Sequence, residues 1–303
     1  MFAAFEALDV RPTTRNICAA VAVIQQESGF QVDPPVPGLP AMARREIDDR
    51  AARYHIPGAL VSIALNTRSP DGRSYAERLR RARTEQDLSE MFEDFIGAVP
   101  LGGRLFADLN PVRTGGPMQV SIAFAEAHAR KTTYPYPLGD GLRREVFTRR
   151  GGLYFGIAHL LDYPVSYDSM LYRFADFNAG HYASRNAAFQ QAVGTLSKTR
   201  LAIDGDLLRE GSSEPSQTEL AVRKLSLALS DRQIRRDLER GTEHEFEETE
   251  LYRNVFELAD SAGPAQRALL PSIRLKSVKI SRKLTTDWFA RRVDERYRRC
   301  LRG

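Results

Sequence analysis

Three short segments carry residue types able to act on a polar substrate: Gln26-Glu27-Ser28-Gly29-Phe30, Gly115-Gly116-Pro117-Met118-Gln119-Val120 and Ala175-Asp176-Phe177-Asn178-Ala179-Gly180. Glu27 closes an apolar run in which Ala20, Val23 and Ile24 share its side at about 100° per residue. A carboxyl on a face that its neighbours bury resists ionisation. A raised pKa is what a general acid needs to protonate a glycosidic oxygen near neutral pH. By itself Glu27 reads first as an ordinary residue ending an amphipathic helix. Cys18 falls on the opposite side of that helix and is no partner for it.

The Gly115-Gly116-Pro117 run allows close backbone approach to a ligand before a helix that would hold Met118 and Gln119 in its first turn. Gln119 can both donate and accept, as a sugar N-acetyl or hydroxyl group requires; the plain alternative is a turn with no ligand. Asn178 and Gly180 are costly inside a helix. A buried Asn needs hydrogen-bond partners, which a cleft or a carboxyl supplies; the alternative is a kink. Hydrolysis would need a second carboxylate. Asp33, Glu145 and Asp176 lie near the motifs, and Asp176 is the best candidate, although it reads first as a capping residue or a partner of Arg173.

Other chemistries find no support. The histidines His55, His128, His159, His181 and His244 form no HExxH pair and no metal-ligand spacing, and no phosphate-binding glycine loop or Gly-x-Ser-x-Gly elbow is present. No metal and no cofactor are expected. The net charge of +5 suits an anionic polymer without selecting one. Basic residues are interleaved with acids and no recognition motif appears, so nucleic acid is not expected as a partner. The apolar run over 17–24 is far short of the roughly 20 residues a membrane span needs. The first residues show no basic, then apolar, leader pattern. Cys18 and Cys300 are either two buried thiols or one disulfide tying the ends of the chain.

The elements that must position these residues are helical. Thr13 and Thr14 are N-cap types before a helix over 15–28, with Gly29 as its stop. A connector follows at Asp33-Pro34-Pro35-Val36-Pro37-Gly38, then helices over 41–53, 58–66 and 75–83. Thr84-Glu85-Gln86-Asp87 opens another in capping-box style, with Leu88, Phe92, Phe95 and Ile96 on its apolar face. The Gly- and Pro-rich stretch 100–116 reads as a loop, followed by helices over 118–128 and 153–161 and a long helix over 174–193 interrupted at Asn178-Ala179-Gly180. Amphipathic, highly charged helices are predicted over 218–229, 231–240 and 246–259. A last helix over 286–301 would bury Trp288, Phe289 and Val293.

In their order, the three segments resemble the motif set of lytic transglycosylases with the lysozyme-like fold: Glu-Ser-x-Phe ending a helix, Gly-Leu-Met-Gln, and Ala-Tyr-Asn-Ala-Gly. The stretch 152–161 resembles the helix before the third motif. Over its whole length the chain also looks like a family of Gram-negative envelope lipoproteins, an impression carried by residues 113–127, 145–156 and 172–189.

The resemblance implies a mainly α, lysozyme-like domain over 1–303. Its catalytic core would comprise 10–33 and 111–200, with a helical insertion over 34–110 and a helical extension over 201–303. It implies peptidoglycan strands as partner and substrate, with cleavage of the MurNAc–GlcNAc linkage to 1,6-anhydro ends. Glu27 would be acid and then base, supported by Ser28, while Gly116, Met118, Gln119, Tyr154, Phe177 and Asn178 would line the substrate. Arg149 and Arg150 suit stem-peptide carboxylates, or form a solvated basic turn. The resemblance favours a Cys18–Cys300 disulfide and a periplasmic location, with an outer-membrane lipid anchor outside this sequence. The alternative it leaves is a non-catalytic peptidoglycan-binding or scaffold protein that retains the cleft. The chain departs from the pattern in a much longer separation of Glu27 from Gln119, in Pro117 for Leu, and in Phe177 for Tyr, which removes a hydroxyl expected near the catalytic Glu.

Overall fold

The computed structural model describes residues 1–98, 110–209, 211–274 and 284–303. The protein is mainly α. Its helices, in chain order, are α1 (Phe2–Ala7), α2 (Thr14–Glu27), α3 (Leu39–Arg53), α4 (Gly58–Leu65), α5 (Tyr75–Arg81), α6 (Glu85–Gly97), α7 (Ile122–Lys131), α8 (Leu142–Phe147), α9 (Arg149–Leu161), α10 (Met170–Ala179), α11 (Ala183–Leu196), α12 (Gln217–Arg223), α13 (Asp231–Glu239), α14 (Glu250–Ser261) and α15 (Thr286–Leu301). Strands β1 (Thr114–Gly115) and β2 (Val120–Ser121) form one antiparallel pair with Gly115 opposite Val120. Among the described residues no helix is long and apolar enough to cross a membrane.

The chain divides into two compact units. Residues 1–11 and 24–157 form unit 1; residues 12–23 and 158–303 form unit 2. The stretch 34–110 therefore lies wholly in unit 1 and 201–303 wholly in unit 2, while 10–33 and 111–200 are each shared between them.

Local chemistry sets the helix ends. Ser74 and Thr84 each make a reciprocal capping box, with Glu77 and Asp87 respectively. Helix α7 starts later than its sequence suggests, at Ile122, because Ser121 caps it by accepting from the Phe124 N–H. Met118 and Gln119 thus lie in the turn of the β1–β2 hairpin, not in a helix. The expected long helix over 174–193 is two helices: Gly180 at φ +109° ends α10, and α11 begins after Tyr182. The expected loop over 100–116 lies outside the described residues up to 109 and is the hairpin's first strand at its end.

In unit 2, α10 packs against α15 and α11 against α14. Phe189, Val222, Leu238, Phe246, Leu251 and Val255 centre a core built by α11 to α14. Helix α15 buries Phe289 and Val293 as expected from its period, but Trp288 stands 39% exposed, one position off the buried stripe. Cys18 of α2 and Cys300 of α15, both in unit 2, form a disulfide.

Candidate functional site

The first motif ends α2. Glu27 is the last helical residue and is partly exposed, after a turn in which Val23 and Ile24 are buried. Ser28 is buried, and its hydroxyl donates to the Ile24 carbonyl at 3.1 Å, tying off the helix end at Glu27. Gly29 and Phe30 both take the left-handed conformation, φ +58° and +71°, and turn the chain away with the Phe30 ring exposed.

The second motif, also in unit 1, is held by missing side chains. Gly116 has φ +74°, and a Cβ there would lie 2.3 Å from the Val146 carbonyl oxygen and 3.0 Å from the Gly152 Cα. A Cβ on Gly152 would lie 2.5 Å from Pro117 Cδ, and one on Gly156 the same distance from Met118 Sδ. Gly152 and Gly156 are one turn apart on α9, so the helix offers a bare stripe on which the hairpin turn rests. Gly115 meets the Phe147 ring, and Gly151 the Glu145 backbone. The glycines that suggested close approach to a ligand therefore serve close approach of backbone to backbone.

This packing decides which predicted residues reach solvent. Gly116, Met118 and Tyr154 are buried, Met118 and Tyr154 completely, so these expected substrate contacts are packing residues. Tyr154 belongs to an aromatic cluster with Tyr134 and Phe155, ring centroids 5.0 and 5.1 Å away. Gln119 stays partly exposed at φ +50°. Its side-chain N–H donates to the Gly116 carbonyl and its oxygen accepts from the Thr114 hydroxyl, so the amide is braced against its own turn.

The candidate second carboxylates are all engaged. Glu145 is buried and accepts from Arg150 at 2.8 and 3.0 Å and from the Tyr134 hydroxyl at 2.6 Å. Burial pushes its carboxyl up, but these donors together hold it below the usual range. Arg150 is thereby committed to Glu145 instead of standing open to a substrate carboxylate, and its guanidinium stacks over Tyr136. Asp33 is raised by burial, opposed by hydrogen bonds from Thr84 and Gln86.

The third motif lies in unit 2. Asp176 is fully buried and accepts from the Ser184 N–H at 2.7 Å, the Tyr163 hydroxyl at 3.2 Å and the Tyr167 hydroxyl. Burial raises its pKa against the pull of these donors. It ties the start of α11 to the segment after α9, as a capping residue does, and it is not paired with Arg173, whose guanidinium reaches the Leu160 and Tyr163 carbonyls. Phe177 is buried with its ring 5.0 Å from His159. Asn178, expected to be buried, is exposed at the end of α10, and its carbonyl accepts from the buried Thr286 hydroxyl at 2.9 Å.

A polar framework surrounds this motif. His159, His181 and Tyr163 stack, with centroids 4.6 Å apart for the two histidines and 3.8 Å for His181 on Tyr163. Burial and the neighbouring His181 push His159 down to about 3, against the Phe177 carbonyl it faces at 3.1 Å. Arg185 is 1% exposed, sandwiched by Tyr182 and Phe246 and hydrogen-bonded to the carbonyls of Gly241 and Glu243. The available signal was polarity inside apolar helix faces: such residues need partners brought from elsewhere. Among the described residues no cluster of His, Cys, Asp and Glu could hold a metal ion.

The family described as "Protein of unknown function (DUF1615)" matches residues 1–303. "Uncharacterized protein YaiW" of Escherichia coli (strain K12) is 57% identical over 302 residues, which cover 98% of this chain and 82% of that protein. No solved structure matches the chain.

Proposed function

We propose that this chain, which belongs to the DUF1615 family, is a peptidoglycan lytic transglycosylase with a lysozyme-like helical core. The observation that carries the reading is Glu27: a partly exposed carboxyl closing a helix in which Val23 and Ile24 are buried, with Ser28 tied back to Ile24 beside it. Glu27 protonates the oxygen between MurNAc and GlcNAc as that bond breaks. The resulting carboxylate then takes the proton of the MurNAc 6-hydroxyl as its oxygen closes on C1, giving a 1,6-anhydro end. No water is consumed, so no second carboxylate is required. The internal engagement of Asp33, Glu145 and Asp176 favours this route over hydrolysis. Gln119, in the same unit as Glu27 and partly exposed, supplies an amide for glycan hydroxyl and N-acetyl groups. The Cys18–Cys300 disulfide favours an oxidising compartment, in keeping with a periplasmic protein carried on a lipid anchor.

Phe177 favours a second reading. Its ring is packed on His159 and brings no hydroxyl, as expected of a non-catalytic relative that binds glycan strands. Digestion of purified sacculi by the wild type and by Glu27→Gln, followed by mass spectrometry of the soluble muropeptides, separates the two. Anhydro products from the wild type, reduced at least 100-fold in Glu27→Gln, are expected. Reducing-end products would mean a hydrolase. Tight sacculus binding with no products from either protein would leave the binding reading.

A further inference from the structure

Unit 1 contains a cavity of about 390 Å³ between α3, α4 and α6, lined by no residue of the three motif segments. Its walls are Ile47, Val61, Leu65, Met91, Phe92 and Phe95. Among the described residues, Glu46 and Arg50 are its only charged lining residues. At its edge Tyr54, Ile56 and Leu60 are 64%, 45% and 54% exposed, and Ile63 nearby on α4 is 64% exposed. Four large apolar side chains exposed within so short a stretch form a surface patch, not scattered single residues.

The chemistry of the walls selects the occupant. A peptide entering the cavity would bury N–H and C=O groups, which cost free energy without partners. Glu46 and Arg50, the charged groups available, are already paired with each other at 2.6 Å. A hydrocarbon chain has no such groups. The mouth also has a charge preference: Arg50 and Arg53 both reach Glu46, two guanidinium groups to one carboxylate, and Arg53 is 67% exposed. Exposed Tyr, Ile and Leu beside Arg is the composition of a surface that enters a bilayer interface, with the rings and aliphatic groups below the head groups and the guanidinium at the phosphates.

We infer that the α3–α4 corner of unit 1 docks on an anionic phospholipid bilayer and takes one acyl chain into this cavity. This surface is separate from any covalent anchor and does not depend on the glycan reading.

The test is co-sedimentation of the full chain with phosphatidylglycerol-containing vesicles and with pure phosphatidylcholine vesicles. Wild-type protein is expected to partition at least ten-fold more strongly onto the anionic vesicles. Ile56→Asp with Leu60→Asp, both at exposed positions, should lower that partition at least ten-fold with an unchanged circular dichroism spectrum. Ala64→Phe, which fills the cavity from a lining position one turn beyond Leu60, should lower it several-fold. Arg53→Glu should lower it on anionic vesicles and leave the weak binding to phosphatidylcholine unchanged. Wild-type protein that stays in the supernatant overturns the proposal. So does partition indifferent to Ile56 and Leu60, which would be adsorption by net charge alone, and so does partition indifferent to Ala64→Phe.

Discussion

The two units hold their motif segments by opposite means. In unit 1 the Gly115–Gln119 turn is fixed by side chains that are absent: Gly116, Gly152 and Gly156 let a hairpin and a helix meet at backbone distance. In unit 2 the segment 175–180 is fixed by side chains that are present, buried and polar: Asp176, Tyr163 and Tyr167 below it, and Arg185 beyond it. The first device tolerates no added atom. The second tolerates a change of charge provided hydrogen bonds survive, because a buried polar group costs most when it loses its partner.

The largest expected effect follows from adding one carbon to the first device. Gly116→Ala meets the Val146 carbonyl at 2.3 Å in a left-handed conformation, and should destabilise the protein by about 4 kcal/mol in denaturant unfolding. Gly29→Ala shares the left-handed strain but meets nothing within 4 Å, so it should cost only about 1 kcal/mol. Equal losses at the two positions would remove close packing as the cause.

The second device is broken by deletion and spared by substitution. Asp176→Ala leaves the Ser184 N–H and two tyrosine hydroxyls unsatisfied, and should cost about 3 kcal/mol. Asp176→Asn keeps an acceptor for Ser184 and should cost about 1 kcal/mol. Should both variants lose the same amount, the negative charge and not the hydrogen bonding would be what unit 2 needs.

A smaller, pH-dependent effect belongs to His159. Its folded-state pKa is pushed down to about 3, so between that value and the ordinary imidazole range the unfolded chain binds the extra proton. Its contribution is present above the unfolded pKa and is lost as pH falls toward the folded one. From pH 7 to pH 5 the wild type should lose about 2 kcal/mol through this group. His159→Gln should show a correspondingly shallower decline, whatever its stability at pH 7. Parallel pH profiles for the two proteins would show that folding does not lower the His159 pKa.

Local sequence was enough for much of the helical layout. The predicted span of the last helix matches Thr286–Leu301, and the capping box at Thr84 forms as its residues suggest. These features depend on neighbours within one turn, which the sequence displays directly. The helices over 2–7 and 142–147 escaped notice because they are too short for a period to be read. The start of α7 was misread because a hairpin of two-residue strands carries almost no pattern.

For the candidate site, sequence by itself determined which residue types stand at the ends and turns of elements: Glu27 at a helix end, a Gly-Gly-Pro turn, and Asn and Gly closing α10. Only the tertiary structure decided which of them face water. Glu27, Gln119 and Asn178 do, whereas Met118, Tyr154, Asp176 and Phe177 are buried. The physical reason is that a glycine, an aspartate or a tyrosine has the same identity whether it meets a ligand or another part of its own chain. What it meets is set by contacts between residues distant in sequence, such as Gly156 with Met118 and Asn178 with Thr286.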